Sequence, residues 1–206
     1  MVKVKICGIT NLDDALVSID AGCDALGFVF YKKSQRYIEP ESAALILKEL
    51  PVSITKIGVF ANASEKHTKG IARLCGLNML QFHGNESPGF CAKFKGYKVI
   101  KSFRVKDKID LQDILRYKTF AYLFDTFSES RIGGTGRSFN WRLLQDSGKI
   151  NKPIFLSGGL TAENVRRAIK AVGPQWVDVS SSLEARPGKK DAQKVKAFIK
   201  KTKGKR

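Results

Sequence analysis

The 206-residue chain carries 37 Lys/Arg against 19 Asp/Glu, a formal charge of +18, with 43% hydrophobic and 27% charged residues. That length allows one domain with a sizeable core, and the balance excludes a disordered chain. No run approaches the ~18 apolar residues of a membrane-spanning helix, and the opening Met1-Val-Lys-Val-Lys5 lacks a signal-peptide core.

Short apolar, β-branched runs alternate with amphipathic stretches along the whole chain. Strands are predicted at 2–7, 25–30, 54–60, 79–83, 98–103, 120–125, 153–157 and 175–180, helices at 11–21, 41–50, 64–75, 87–95, 110–117, 140–147, 161–172 and 190–201. Thr10-Asn11 followed by Asp13-Asp14 is a helix start, and Gly22 a stop. Ala15, Leu16, Ile19 and Ala21 are expected to form the stripe that faces a sheet. Thr161 to Asn164 is expected to open the seventh helix, which Gly173-Pro174 stops. Strand starts about 19 to 33 residues apart match one βα unit, and no Ser/Pro-rich linker interrupts them. Eight such units predict an α/β fold, one (β/α)8 TIM barrel over residues 1–206 with a basic C-terminal tail. An open doubly wound sheet is the alternative, normally with fewer strands at this length.

A barrel of this kind carries its active site at the C-terminal ends of the strands. In the first strand Val4 and Ile6 are apolar and should meet the helices, which points Lys5 and Cys7 inward. The same alternation points Asp178 and Ser180 inward from the eighth strand. Barrel closure makes the two strands neighbours, so Lys5 is predicted to pair with Asp178, because an unpaired buried charge is costly. That pair either organises the core or belongs to the site. Asp125 ends an apolar sixth strand, as a cap, a loop anchor or an acid/base group. Cys7 is either an inert core thiol or a base whose ionisation Lys5 eases.

Ser157-Gly158-Gly159-Leu160 and Ser180-Ser181-Ser182 follow the last two strands, where barrels frequently hold a phosphate on backbone N–H groups. Two ordinary turns are the plainer reading. Gly133-Gly134-Thr135-Gly136, ahead of Phe139-Asn140-Trp141, lacks the spacing of a Walker loop and is read as a flap over the site. Arg36, just past the second strand, either grips a carboxylate bidentately or is solvated. Gln81 and His83 share a face of the fourth strand, His83 as a base or as a structural histidine; His67 is assigned nothing.

From Lys189 to Arg206 there are nine Lys/Arg and one Asp, so +8 of the +18 sits at the C-terminal end. It is read as a solvated, lysine-rich face rather than a nucleic-acid arm, since few aromatics and no nucleic-acid motif accompany it. The cysteines, Cys7, Cys23, Cys75 and Cys91, form no C-x-x-C pair, and there are only His67 and His83 as histidines. A structural zinc site and a multi-imidazole centre are thus not expected, whereas reduced thiols in a cytoplasm are.

Taken in order, Lys5-Ile-Cys-Gly-Ile-Thr10, Gly27-Phe-Val-Phe30 with Ser34-Gln-Arg36, Gly58-Val-Phe60, Gln81-Phe-His-Gly84, Asp125, Gly133 to Gly136 with Phe139-Asn-Trp141, Ser157-Gly-Gly-Leu160 with Asn164-Val165, and Asp178-Val-Ser-Ser181 with Glu184 resemble the phosphoribosylanthranilate isomerases of tryptophan biosynthesis. The resemblance implies an Amadori rearrangement with no metal and no cofactor. Asp125 would open the ribose ring as acid, and Cys7 would take the C2′ proton as base. Arg36 would hold the anthranilate carboxylate, and the Gly158-Gly159 and Ser180–Ser182 loops the phosphate. The expected partner is a small phosphorylated substrate, with no nucleic acid and no membrane, in a monomer or a homodimer. Ser182 stands where the family usually has Gly, and would be strained if that position needs φ > 0. Phe82 replaces the usual Leu as an outward packing change. The basic tail is not part of the family pattern. A histidine-pathway isomerase would resemble a two-carboxylate site instead, whereas strand one here ends in Cys7, and a phosphopentose epimerase would need more histidines.

Overall fold

A computed structural model of the chain describes residues 1–126, 140, 141, 143, 144 and 150–204. Eight parallel strands close in sequence order into one barrel: β1 (Lys3–Cys7), β2 (Ala25–Val29), β3 (Thr55–Phe60), β4 (Met79–Phe82), β5 (Lys98–Val105), β6 (Ala121–Thr126), β7 (Ile154–Leu156) and β8 (Trp176–Val179). β1 closes the ring against β8, with Lys5 opposite Asp178. Among the described residues the helices are α1 (Leu12–Asp20), α2 (Pro40–Lys48), α3 (Glu65–Leu74), α4 (Pro88–Cys91), α5 (Leu111–Leu115), α6 (Val165–Val172) and α7 (Ala192–Lys203). The predicted (β/α)8 barrel is the observed architecture.

Alternation along each strand separates two apolar shells. Val4, Ile6, Leu80, Phe82, Tyr122, Phe124, Val177 and Val179 face the helices. Ala25, Ile57, Met79, Ile100, Ala121, Leu123, Phe155 and Trp176 fill the barrel, Phe155 stacking on Trp176 at 4.8 Å between ring centroids. Each large side chain so buried contributes about 1.5–3 kcal/mol. Phe82 does point outward, into a cluster with Phe60, Phe90 and Phe94.

Several expectations shift. The fourth helix shortens from 87–95 to Pro88–Cys91: Ser87 caps it, but the Pro-Gly start leaves little to propagate, and the chain continues in turns. Of the sixth, only Asn140, Trp141, Leu143 and Leu144 are described, the last three in a 3-10 turn. On α1 the buried face is Asp14, Ala15 and Ser18, while Leu16 is 39% exposed, so the apolar stripe is narrower than predicted. The four residues 161–164 form a turn before α6, because Asn164 spends its side chain on that turn instead of capping.

A 3-10 turn (Ser181–Leu183) leads into a small hairpin, β9 (Glu184–Arg186) and β10 (Lys189–Lys190), that periodicity does not announce. Ser182 does not adopt a positive φ: among the described residues Asn62 alone does so without being glycine. The expected strain there is therefore absent. Nor is the lysine-rich end simply a solvated face. Lys190 is 4% exposed, Lys194 donates to the Glu184 carbonyl at 2.9 Å, and Lys203 pairs with Asp24 at 2.7 Å. The loop Gly133–Gly136 and Phe139 lie outside the described residues.

Candidate active site

Cys7, Gln81, His83, Asp125 and Asp178 converge with Arg36, Ser157 and Ser180 on one pocket at the C-terminal mouth of the barrel, enclosing ≈ 610 Å³ of space open to solvent. Val29, Val59 and Tyr31 supply an apolar wall beside Cys7. Such a wall suits a flat aromatic ring with polar groups at its edges.

At the floor, Lys5 Nζ donates to Asp178 Oδ1 at 2.8 Å, both buried. Burial works against the Lys5 ammonium, yet the Asp178 carboxylate and the neighbouring Cys7 sulfur outweigh it and hold its pKa above the usual lysine value. Burial pushes the Cys7 thiol up, and Lys5 only partly opposes that push. Gly27 opposite Cys7 is needed for close approach: a Cβ there would sit 2.8 Å from the sulfur. Ser180 Oγ donates to the Cys7 carbonyl at 2.9 Å, tying the ends of β8 and β1 together.

Asp125, 5% exposed, accepts from the Thr126 N–H through Oδ1 at 2.8 Å and faces His83 Nε2 through Oδ2 at 3.3 Å. That second contact is close enough for attraction but is not aligned as a hydrogen bond. Gln81 Nε2 lies 3.0 Å from His83 Nδ1; an amide donating there puts the imidazole proton on Nε2, toward Asp125. Behind His83, a buried Lys101–Glu86 pair at 3.0 Å binds the Gly84 carbonyl and the Asn62 N–H, fixing the turn that follows β4.

The two loops predicted to hold phosphate lie side by side. Gly158 and Gly159 both have positive φ, 90° and 62°. A Cβ on Gly158 would strike the Thr126 hydroxyl and backbone and come within 3.0 Å of Asp125 Oδ1, so only glycine fits. Asn164 donates to the Gly159 carbonyl at 2.8 Å and accepts from the Thr161 N–H, bracing the loop. Across from it the Ser182 hydroxyl donates to the Leu160 carbonyl. The 3-10 turn leaves the Ser181 and Ser182 N–H groups without intrahelical acceptors.

Arg36 is not solvated. Its Nε and Nη2 fork onto Glu184 Oε1 and Oε2 at 2.8 and 2.7 Å, so the carboxylate it grips here belongs to the protein itself. Lys190 adds a third donor to Glu184 Oε1 at 2.9 Å. Burial acts to raise the Glu184 pKa, but Arg36 and Lys190 outweigh it and hold the carboxyl below its usual range. Burial pulls the Lys190 ammonium down against the Glu184 carboxylate. Sequence reasoning names Glu184 only within a motif and counts Lys190 as tail; neither carries a periodicity that would have placed it here.

The family described as PRAI, N-(5'phosphoribosyl)anthranilate (PRA) isomerase, matches residues 4–201. A Pelobacter propionicus N-(5'-phosphoribosyl)anthranilate isomerase is 51% identical over 97% of this chain and 94% of its own length. Phosphoribosyl anthranilate isomerase from Thermotoga maritima superimposes with a TM-score of 0.93, at 46% identity, covering 99% of this chain and all of its own. A crystal structure of such an enzyme in complex with reduced 1-(o-carboxyphenylamino)-1-deoxyribulose 5-phosphate matches with a TM-score of 0.90 at 45% identity, over 99% of this chain and 100% of that one. With the barrel, the convergent side chains and relatives that match over nearly their full lengths, the chain belongs to the N-(5'-phosphoribosyl)anthranilate isomerase family.

Proposed function

We propose that the pocket carries out the family's Amadori rearrangement with Cys7 and Asp125 as its acid–base pair. The substrate is N-(5'-phosphoribosyl)anthranilate and the product 1-(2-carboxyphenylamino)-1-deoxyribulose 5-phosphate. The observation that carries this assignment of roles is that Cys7 and Asp125 enter one pocket from strands three steps apart around the barrel. A sugar lying between them would present its ring oxygen to one and C2′ to the other.

Asp125 donates a proton to the furanose ring oxygen, and the C1′–O bond breaks to give an open-chain Schiff base. Cys7, as thiolate, removes the C2′ proton, and that electron pair forms the C1′–C2′ double bond of an enolamine. Reprotonation at C1′ yields the ketone. His83 and Gln81 hold Asp125 in line, and Lys5, itself fixed by Asp178, favours the thiolate that burial disfavours. The N–H groups of Gly158, Gly159, Ser181 and Ser182, with the Ser180 end of β8, receive the phosphate. Arg36 receives the anthranilate carboxylate with the donors that Glu184 leaves free. Four buried, free thiols support a reducing, cytoplasmic setting.

Loss of the anthranilate-type fluorescence of freshly made substrate measures turnover. Cys7→Ala and Asp125→Asn, each folded by circular dichroism, are expected to lose about 10²–10⁴ in kcat. Turnover that survives both substitutions would discard this pair, and none in folded wild type would discard the reaction itself.

A further inference from the structure

An arginine already forked onto a carboxylate is a poor receptor for a second one. In the Arg36–Glu184 pair the two formal charges cancel, and both Nε and Nη2 are occupied. The gain is orientation: Glu184, 7% exposed, fixes the guanidinium plane at the pocket rim. The loss is attraction for any anion that enters.

Lys190 restores the balance. Its Nζ, fully shielded from solvent, contacts Glu184 Oε1 at 2.9 Å and the Ser180 carbonyl at 3.4 Å, and it lines none of the pocket. Burying an ammonium is expensive, and nothing in the barrel core requires one there. Its backbone is held with equal care. Lys190 N–H donates to Asp14 Oδ2 at 2.7 Å, Lys189 pairs with Asp14 Oδ1 at 2.7 Å, and β9 pairs Glu184 with Lys190 directly. Thr10 donates to the Gly188 carbonyl at the hairpin turn.

We propose that Lys190 is a positioning residue that keeps Arg36 receptive to the substrate carboxylate: Glu184 aims the guanidinium, and the Lys190 ammonium supplies the positive charge that Glu184 would otherwise cancel. The cluster of three then carries one net positive charge beside a ligand that brings a negative one. This inference rests on the reading of Arg36 as the carboxylate receptor.

The test measures binding of reduced 1-(o-carboxyphenylamino)-1-deoxyribulose 5-phosphate by titration calorimetry, beside the same compound without its ring carboxylate. Lys190→Met should weaken the carboxylate-bearing ligand about tenfold or more, an effect typical of one unit charge at a few ångströms in a partly shielded site. The ligand without carboxylate should be affected much less. Lys190→Met combined with Glu184→Gln returns the cluster to one net positive charge and should recover most of the loss, which a merely structural lysine would not allow. Wild-type affinity in Lys190→Met, an equal loss for both ligands, or no recovery in the double variant would each overturn the proposal. If Lys190→Met alone does not fold, the double variant decides: affinity within about threefold of wild type is expected, and a tenfold loss overturns the idea. Failure of wild type to bind either ligand would instead sink the functional reading beneath it.

Discussion

Lys5 illustrates how much a single position can be read from first principles. Two apolar neighbours, Val4 and Ile6, force it inward, and closure of the ring leaves it one acidic neighbour level with it on β8, Asp178. Lys5→Met should strand a buried carboxylate that is 5% exposed and cost about 3–5 kcal/mol in urea unfolding. Lys5→Met with Asp178→Leu should regain most of that stability without regaining turnover, because Cys7 then lacks its only adjacent cation from β1. A double variant as active as wild type would confine the pair to a packing role. Arg36 was not legible in the same way. Its partner Glu184, and the Lys190 that backs Glu184, come from strands of three and two residues, β9 and β10, where no apolar period announces which side chain turns inward. The partner of His83 was equally hidden, since nothing local links β4 to Asp125 on β6.

The strands and most helices were legible because each repeats one pattern, β-branched residues closed by a cap or a glycine. The elements that build the rim were not. The loop after β7 owes its shape to two glycines with positive φ and to a side chain just ahead of the next helix. Asn164 is the example: it forms no cap on α6, and instead ties Gly159 and Thr161 into one turn. Asn164→Ala should therefore cost only about 1 kcal/mol, a melting temperature lower by about 2–4 °C, while raising KM about tenfold with kcat little altered. Steady-state kinetics beside a thermal melt would check this, and an unchanged KM would show that the loop keeps its shape unaided. Leu16 teaches the opposite lesson: a plausible apolar stripe on α1 lost one member to solvent, because the buried Asp14 carboxylate ties that helix to Lys189 and Lys190 of the hairpin, and Ser18 beside it is buried in Leu16's stead.

Across the whole molecule, the charge of +18 divides between ordinary surface lysines and a few that serve the fold, such as Lys5, Lys101 and Lys190. The thiols give the molecule a pH dependence of its own. Burial pushes Cys23 up to about 12 and Cys75 and Cys91 up to about 11. An unfolded thiol ionises near 8.5, so above that pH the unfolded chain sheds protons that the folded chain keeps. Stability is thus fully present below about pH 8.5 and declines as pH rises toward the folded values. Calorimetry under reducing conditions should show the melting temperature falling by roughly 5 °C or more between about pH 8.5 and pH 10.5. Replacing Cys23, the most strongly raised of the three, by Ala should flatten that slope, and an unchanged slope would assign the decline to lysines losing their charge.

Asp14 joins residues that lie 176 positions apart, from the first helix to the hairpin near the chain's end. On a ribosome that seam has a timetable. Arg36 is made early, but Glu184, which orients it, follows 148 residues later, and Asp14 waits 175 and 176 residues for Lys189 and Lys190. A nascent chain that stops short of Lys190 carries Cys7, Asp125 and Arg36 but lacks the contact on Glu184, so on the proposed reading of Arg36 its carboxylate site is completed in one step, when the hairpin closes, and not by degrees.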